Sequence, residues 1–347
     1  MPAVIDEEEW QPHYISVFAW LGIEQTLHRY TVVSEHELFF WNITPEKHAQ
    51  NSATLTQLYQ QTGKPLLLML ESNPFTPANY AYILTLAKTY DVPVKIFSSN
   101  VLDYFGNDPD LVYYPTWYCQ QVIEHNYQSG KSKKFRFSFL SSQARFHRLY
   151  LYQQCKQWIT AEDCVAVHAN NYAIQQDFVN RDMQQHLLDP VDLLTDVPCA
   201  NNVEQDSFYY SLPIDPAQVD FTNQHNAYLA MINITGESNI DTNHVFLSEK
   251  TWKPIRSRCL TMCLGNDHSV SVLNKLGFHI PESVDPELPL MEKISNIVQK
   301  MSLWSFDDCC TIYNDHCESL EHNQRWFYSN TLKQQFVDQI KLKLEIN

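Results

Sequence analysis

The residues best placed to do chemistry stand together in "LSEKTWKPI", residues 247–255. Ser248 is a natural helix N-cap, because its short side chain can accept from a backbone N–H of the first turn. Glu249 then sits where the helix dipole favours negative charge. At helical spacing Trp252, Ile255 and Cys259 share an apolar face, while Glu249, Lys253 and Arg256 share a charged one. Pro254 has no N–H, so the Lys250 carbonyl loses its helical partner and the first turns should be irregular. A helix start that joins open backbone N–H groups to Lys250 and Lys253 suits a pyrophosphate. Glu249 can accept from a ribose diol. An amphipathic surface helix with solvated charges fits the same spacing.

A second stretch, "FLSSQARFHRLYL" (139–151), places serines at a strand-to-helix turn and Arg145 and Arg148 one turn apart, with His147 between them. Arginines in a first turn oppose the helix dipole unless an anion is bound there. Pairing with acidic groups elsewhere is the alternative. Both stretches are expected at strand-to-helix turns in the second half of the chain.

The elements that would position them alternate. "KPLLLMLES" (64–72) is a continuous apolar run, as in a strand buried on both faces. Helical patterns at 52–63 and 76–91 flank it, and "VPVKIFSSN" (92–100) and "HELFFWNI" (36–43) read as further strands. After a polar stretch at 124–134 the rhythm restarts, with strands near 134–140, 163–169, 226–238 and 259–265. Helices are expected over 141–158, after Ser248 and over 269–278, and two or three more finish the chain. Gly63 and Gly277 are placed as helix terminators. This rhythm predicts parallel sheets covered by helices. It divides the chain into a first α/β domain (1–130) and a second (131–347), with the last helix packing back on the first. In open α/β sheets the ligand lies beyond the carboxyl ends of the strands, and a two-domain chain tends to hold it in a cleft.

The 347 residues carry 40 acidic and 24 basic side chains, a formal net charge of -16. That balance argues against coating nucleic acid by charge alone. "GKSKKFR" (130–136) is the one basic run that could line a cleft for a duplex. Nine cysteines at irregular spacing fit free thiols in a reducing compartment. Adjacent Cys309 and Cys310, with Cys317 and His316, lack a second ligand pair for structural zinc. No signal peptide or run of roughly 20 apolar residues is present, so the expected location is the cytoplasm, or the host cytoplasm for a viral protein. Seven glycines form no dinucleotide or P-loop fingerprint, which sets a P-loop kinase aside. "DPD" (108–110), with its central proline, reads as a turn.

"ITGES", "FLSEKTWKPI", the apolar strand ending in Gly265 and "LNKLGF" together resemble the donor-binding half of GT-B glycosyltransferases. Within these they are most similar to the fucosyltransferase-like and the phage or giant-virus sugar transferases. "SSQARFHRLYL" is similar to the segment that opens the donor domain in that group. The resemblance covers roughly residues 134–280. It implies two Rossmann-like domains facing a cleft, and transfer of a sugar from a nucleoside diphosphate to an acceptor hydroxyl. The acceptor would be a glycan or, as the less favoured option, a hydroxymethylated DNA base. Metal independence and an inverting outcome are implied, with no cofactor beyond the donor substrate. Glu249 would hold the ribose, Lys250 and Arg145 would neutralise the diphosphate, and Glu237 would lie near the donor sugar. Arg148, Ser248 and Lys253 complete the donor set. An inverting reaction needs a general base; Glu71, at the end of a buried strand, is the candidate and His13 the alternative. Arg256 and Arg258 depart from the pattern and would alter the sugar pocket. The competing reading is a non-catalytic structural or interaction protein on a degenerate transferase fold.

Overall fold

The structure, a computed structural model, describes residues 18–34, 37–39, 43–70, 77–99, 108–123, 133–141, 146–155, 164–168, 229–237, 245–265, 268–281 and 288–345. His13, Glu71 and Arg145 lie outside them. The chain forms two compact units, one comprising 1–123, 241–247 and 328–347, the other 124–240 and 248–327.

The first unit carries a parallel sheet of strands β1 (Thr31–Ser34), β2 (Leu66–Leu70), β3 (Val94–Ser98) and β4 (Leu111–Tyr113), side by side in that order. Parallel neighbours need crossovers, and helices supply those from β1 to β2 and from β2 to β3. After α1 (Glu24–Leu27) these are α2 (Pro45–Thr62) and α3 (Pro77–Thr89); α4 (Thr116–Ile123) follows β4. Every residue of β2 is buried, as its uninterrupted apolar run requires. Leu66, Leu68 and Leu70 meet Leu55 and Leu58 of α2 and Ile83 and Leu86 of α3 in one core. Thr44 caps α2 by accepting from Lys47 N at 3.3 Å, and Gly63 ends it at φ 64°. That left-handed conformation strains any residue with a Cβ.

The strand expected at 36–43 is a correction. The strand is the preceding "TVVS", while Glu37–Phe39 are irregular. Asn51 fixes Phe39 by bonding its backbone N and O at 2.8 and 2.7 Å. The "DPD" segment is a turn, in which Asp110 N donates to Asp108 Oδ1 and Asp110 pairs with Lys95, both at 2.9 Å.

The second unit holds β5 (Phe135–Ser141), β6 (Cys164–His168), β7 (Ala230–Gly236) and β8 (Leu260–Leu264), all parallel in the order β6-β5-β7-β8. The chain leaves β5 in one direction to form β6 and then returns across it to form β7. The adjacent carboxyl ends of β5 and β7 are therefore a topological switch point. Helices α5 (Phe146–Cys155), α6 (Glu249–Arg256) and α7 (Ser269–Lys275) follow β5, β7 and β8. Four helices, not two or three, end the chain: α8 (Leu290–Leu303), α9 (Phe306–Asp315), α10 (Cys317–Phe327) and α11 (Asn330–Lys343). The first three belong to the second unit. Helix α11 belongs to the first, where Phe336 packs against Tyr113 and Tyr118. No described helix is long and apolar enough to cross a membrane.

Candidate functional site

The two sequence stretches that could do chemistry meet at the switch point. His147 and Arg148, in the first turn of α5, reach the end of β7. His147 Nε2 donates to the Glu237 carbonyl and Arg148 Nε to the Gly236 carbonyl, each at 2.9 Å. A carbonyl can only accept, so the imidazole proton sits on Nε2. The Arg148 guanidinium is fully buried. Arginine at a first turn, which the dipole disfavours, is here used to terminate a neighbouring strand.

The Glu237 side chain points the other way, into α6. It is completely buried and accepts from Ser248 Oγ at 2.6 Å and from Thr251 Oγ1. A buried carboxylate is costly unless its oxygens are hydrogen-bonded, and two hydroxyls from the opening turn of α6 meet that need. Ser248 also caps the helix, accepting from Lys250 N at 3.2 Å. Glu237 thus anchors the α6 start to the end of β7.

Pro254 lies inside α6. The Lys250 carbonyl, which cannot receive an N–H from a proline, receives the Thr235 hydroxyl instead at 3.3 Å. That single proton is shared with Asn233 Oδ1, and Asn233 Nδ2 donates to Ser138 on β5 at 2.8 Å. A buried polar chain therefore runs from β5 through β7 to the first turn of α6, which, against the expected irregularity, is continuous α-helix through Pro254.

Glu249 and Lys250 form an ion pair at 2.5 Å, with their side chains 22% and 13% exposed. Burial alone would push the Glu249 carboxyl up. The charges of Lys250 and Lys253, the Lys250 hydrogen bond and its own backbone N–H outweigh burial and hold it near a pKa of about 2. Lys253 is half-buried. The first-turn N–H groups, expected to be open to a ligand, are already used. Lys250 N serves Ser248 Oγ, and Thr251 N and Trp252 N donate to the Ser248 carbonyl at 3.1 and 3.4 Å.

The charged helix face needs a second correction. Arg256 is fully buried rather than facing a cleft, and its carbonyl accepts from Gln324 of α10 at 2.7 Å. Arg258, at φ 56°, turns to Glu321 of the same helix at 2.7 Å. The basic run at 130–136 is also dispersed in its described part. Lys133 Nζ donates to the Ser257 carbonyl at 2.9 Å, and Arg136 donates to the Trp304 carbonyl.

Of the sequence-predicted residues, Arg148, Glu237, Ser248, Glu249, Lys250 and Lys253 come together here. His147, Thr235 and Thr251 were not singled out as site residues. A His between two arginines was the signal for the first; nothing marked the other two, whose partners are distant in sequence. Among the described residues no cluster of three or more His, Cys, Asp or Glu is arranged to hold a metal ion.

No protein-family model matches the chain, and no curated protein matches it. Among solved structures it is similar to CalG4, the calicheamicin glycosyltransferase. The identity is 13% and the TM-score 0.35, over 99% of this chain and 82% of that one. A likeness at that level bears on neither ligand nor chemistry.

Proposed function

We propose that the second unit binds a nucleoside diphosphate sugar at the carboxyl end of β7, and that the chain transfers the sugar to an acceptor hydroxyl. The observation that carries this reading is the junction itself. Two cation-bearing turns, far apart in sequence, are tied together at a topological switch point by Arg148, His147 and Glu237. Ligands of open α/β sheets bind at such points. The "ITGES" and "FLSEKTWKPI" pattern supplies the sugar-nucleotide part of the proposal.

In this reading Lys250 and Lys253 neutralise the diphosphate. An ammonium has three N–H donors, so Lys250 can keep Glu249 and still reach a phosphate oxygen. Glu249, held ionised, accepts from the ribose diol. Glu237, Ser248 and Arg148 act as positioning residues, because their polar atoms are committed within the fold. As the glycosidic bond breaks, negative charge grows on the leaving diphosphate. Fixed cations beside it lower the barrier by electrostatic preorganisation. An inverting displacement with Glu71 as the base and Arg145 as a further phosphate ligand completes the proposal. Incubating the full chain with a panel of sugar nucleotides and measuring release of free UDP or GDP tests it. Release above a Lys250→Ala control supports transfer, and none from any donor removes it.

A second reading, a binding or structural protein on this fold, is favoured by one set of contacts. The first-turn N–H groups of α6 are occupied, and Glu249 and Lys250 satisfy each other. It requires that no sugar nucleotide bind.

A further inference from the structure

The second unit has another cavity at the opposite end of its sheet, of about 320 Å³. Its floor is Ile232, Leu260 and Met262, three side chains on one face of β7 and β8. Ile232 precedes the candidate donor site by four residues along β7, roughly 13 Å of extended chain. The wall is built by α8 and α9: Lys300 from the last turn of α8, Trp304 just after it, and His316 at the C-cap of α9.

We infer that this cavity is a binding site for a small carboxylic acid with an aromatic or aliphatic body, its ring or chain on Trp304 and the sheet and its carboxylate on Lys300. The volume lies in the range of small-molecule pockets, and the composition is theirs too, an apolar floor with few polar groups. One cationic side chain, Lys300, lines the cavity. Lys300 Nζ stands 5.8 Å over the Trp304 ring. Arg136 donates to the Trp304 carbonyl and so fixes the backbone that carries the indole. A carboxylate would complement Lys300 in this largely apolar lining. Burial lowers the affinity of Lys300 for its proton, and a bound carboxylate would reverse that loss.

The test is calorimetric titration of the full chain with phenylacetate and with phenylacetamide, its neutral counterpart. Phenylacetate is expected to bind at least tenfold more tightly. In Lys300→Met, which keeps an apolar chain of similar length, phenylacetate should fall to the level of the amide while the amide is unchanged. Equal binding of acid and amide by the wild-type chain would overturn the inference, as would failure of both to bind. A preference for the acid that survives Lys300→Met would also overturn it. The wild-type comparison stands even if the variant fails to fold. The site is independent of the donor reading. UDP and GDP should not displace phenylacetate, and competition between them would mean the acid occupies the nucleotide site instead.

Discussion

Ser248 Oγ and Glu237 Oε2 lie 2.6 Å apart, both in side chains that solvent does not reach. One residue ends β7 and the other begins α6, so this bond fixes the helix start on the strand. Glu237→Ala leaves two buried hydroxyls without their acceptor and should cost about 2–4 kcal/mol of folding stability. Glu237→Gln keeps an acceptor oxygen, and the second hydroxyl can turn to accept from the amide, so it should cost about 1 kcal/mol. Chemical denaturation of both variants checks the ordering. Equal costs would mean that Glu237 is not an anchor.

Glu249 gives a pH signature with a fixed sign. Its carboxyl is held at about 2, against an ordinary 4.5, so the folded state binds its proton less readily than the unfolded state does. The resulting stability is fully present above about pH 4.5 and is lost as pH falls towards 2. It amounts to on the order of 3 kcal/mol. The stability gap between the wild-type chain and Glu249→Gln should therefore be constant from pH 7 to about 5 and close below that. A gap that widened on acidification would contradict the Lys250 and Lys253 assignment.

Gly277 ends α7 at φ 95°, and a Cβ there would meet the Trp326 ring at 2.9 Å. The ring cannot easily retreat. Its Nε1 donates to the Leu276 carbonyl at 2.7 Å, and its face stacks along His322, which stacks on His279. Gly277→Ala should cost about 3 kcal/mol, of which roughly 1–2 kcal/mol is backbone strain. In a Trp326→Ala background only the strain should remain. Thermal denaturation of the double-mutant cycle separates the two.

The sequence made local features legible where one physical cause dominated. The "LLLML" run could only be a strand buried on both faces, and Gly63 and Gly277 sit at the helix ends their spacing indicated. The Ser248 cap follows equally from single-residue chemistry. Where tertiary packing decides, the pattern misled. "HELFFWNI" has more β-prone residues than "TVVS", yet the shorter segment pairs with β2 and Phe39 is left exposed. Arg256 shares a wheel face with Glu249, but α10 closes over it. Thr251 and Glu237 are fourteen residues apart and their bond has no local signature. The replacement of a missing proline N–H by Thr235 likewise depends on how two elements meet.

The donor proposal stands or falls on whether a nucleoside diphosphate binds beside Lys250. Titrating the full chain with UDP, GDP and their sugars, by thermal shift and then calorimetry, should find at least one that raises the melting temperature. Lys250→Ala should then weaken it by about 1–3 kcal/mol, as for a charge-assisted contact. No shift with any of them, or an affinity that Lys250→Ala leaves unchanged, would contradict it.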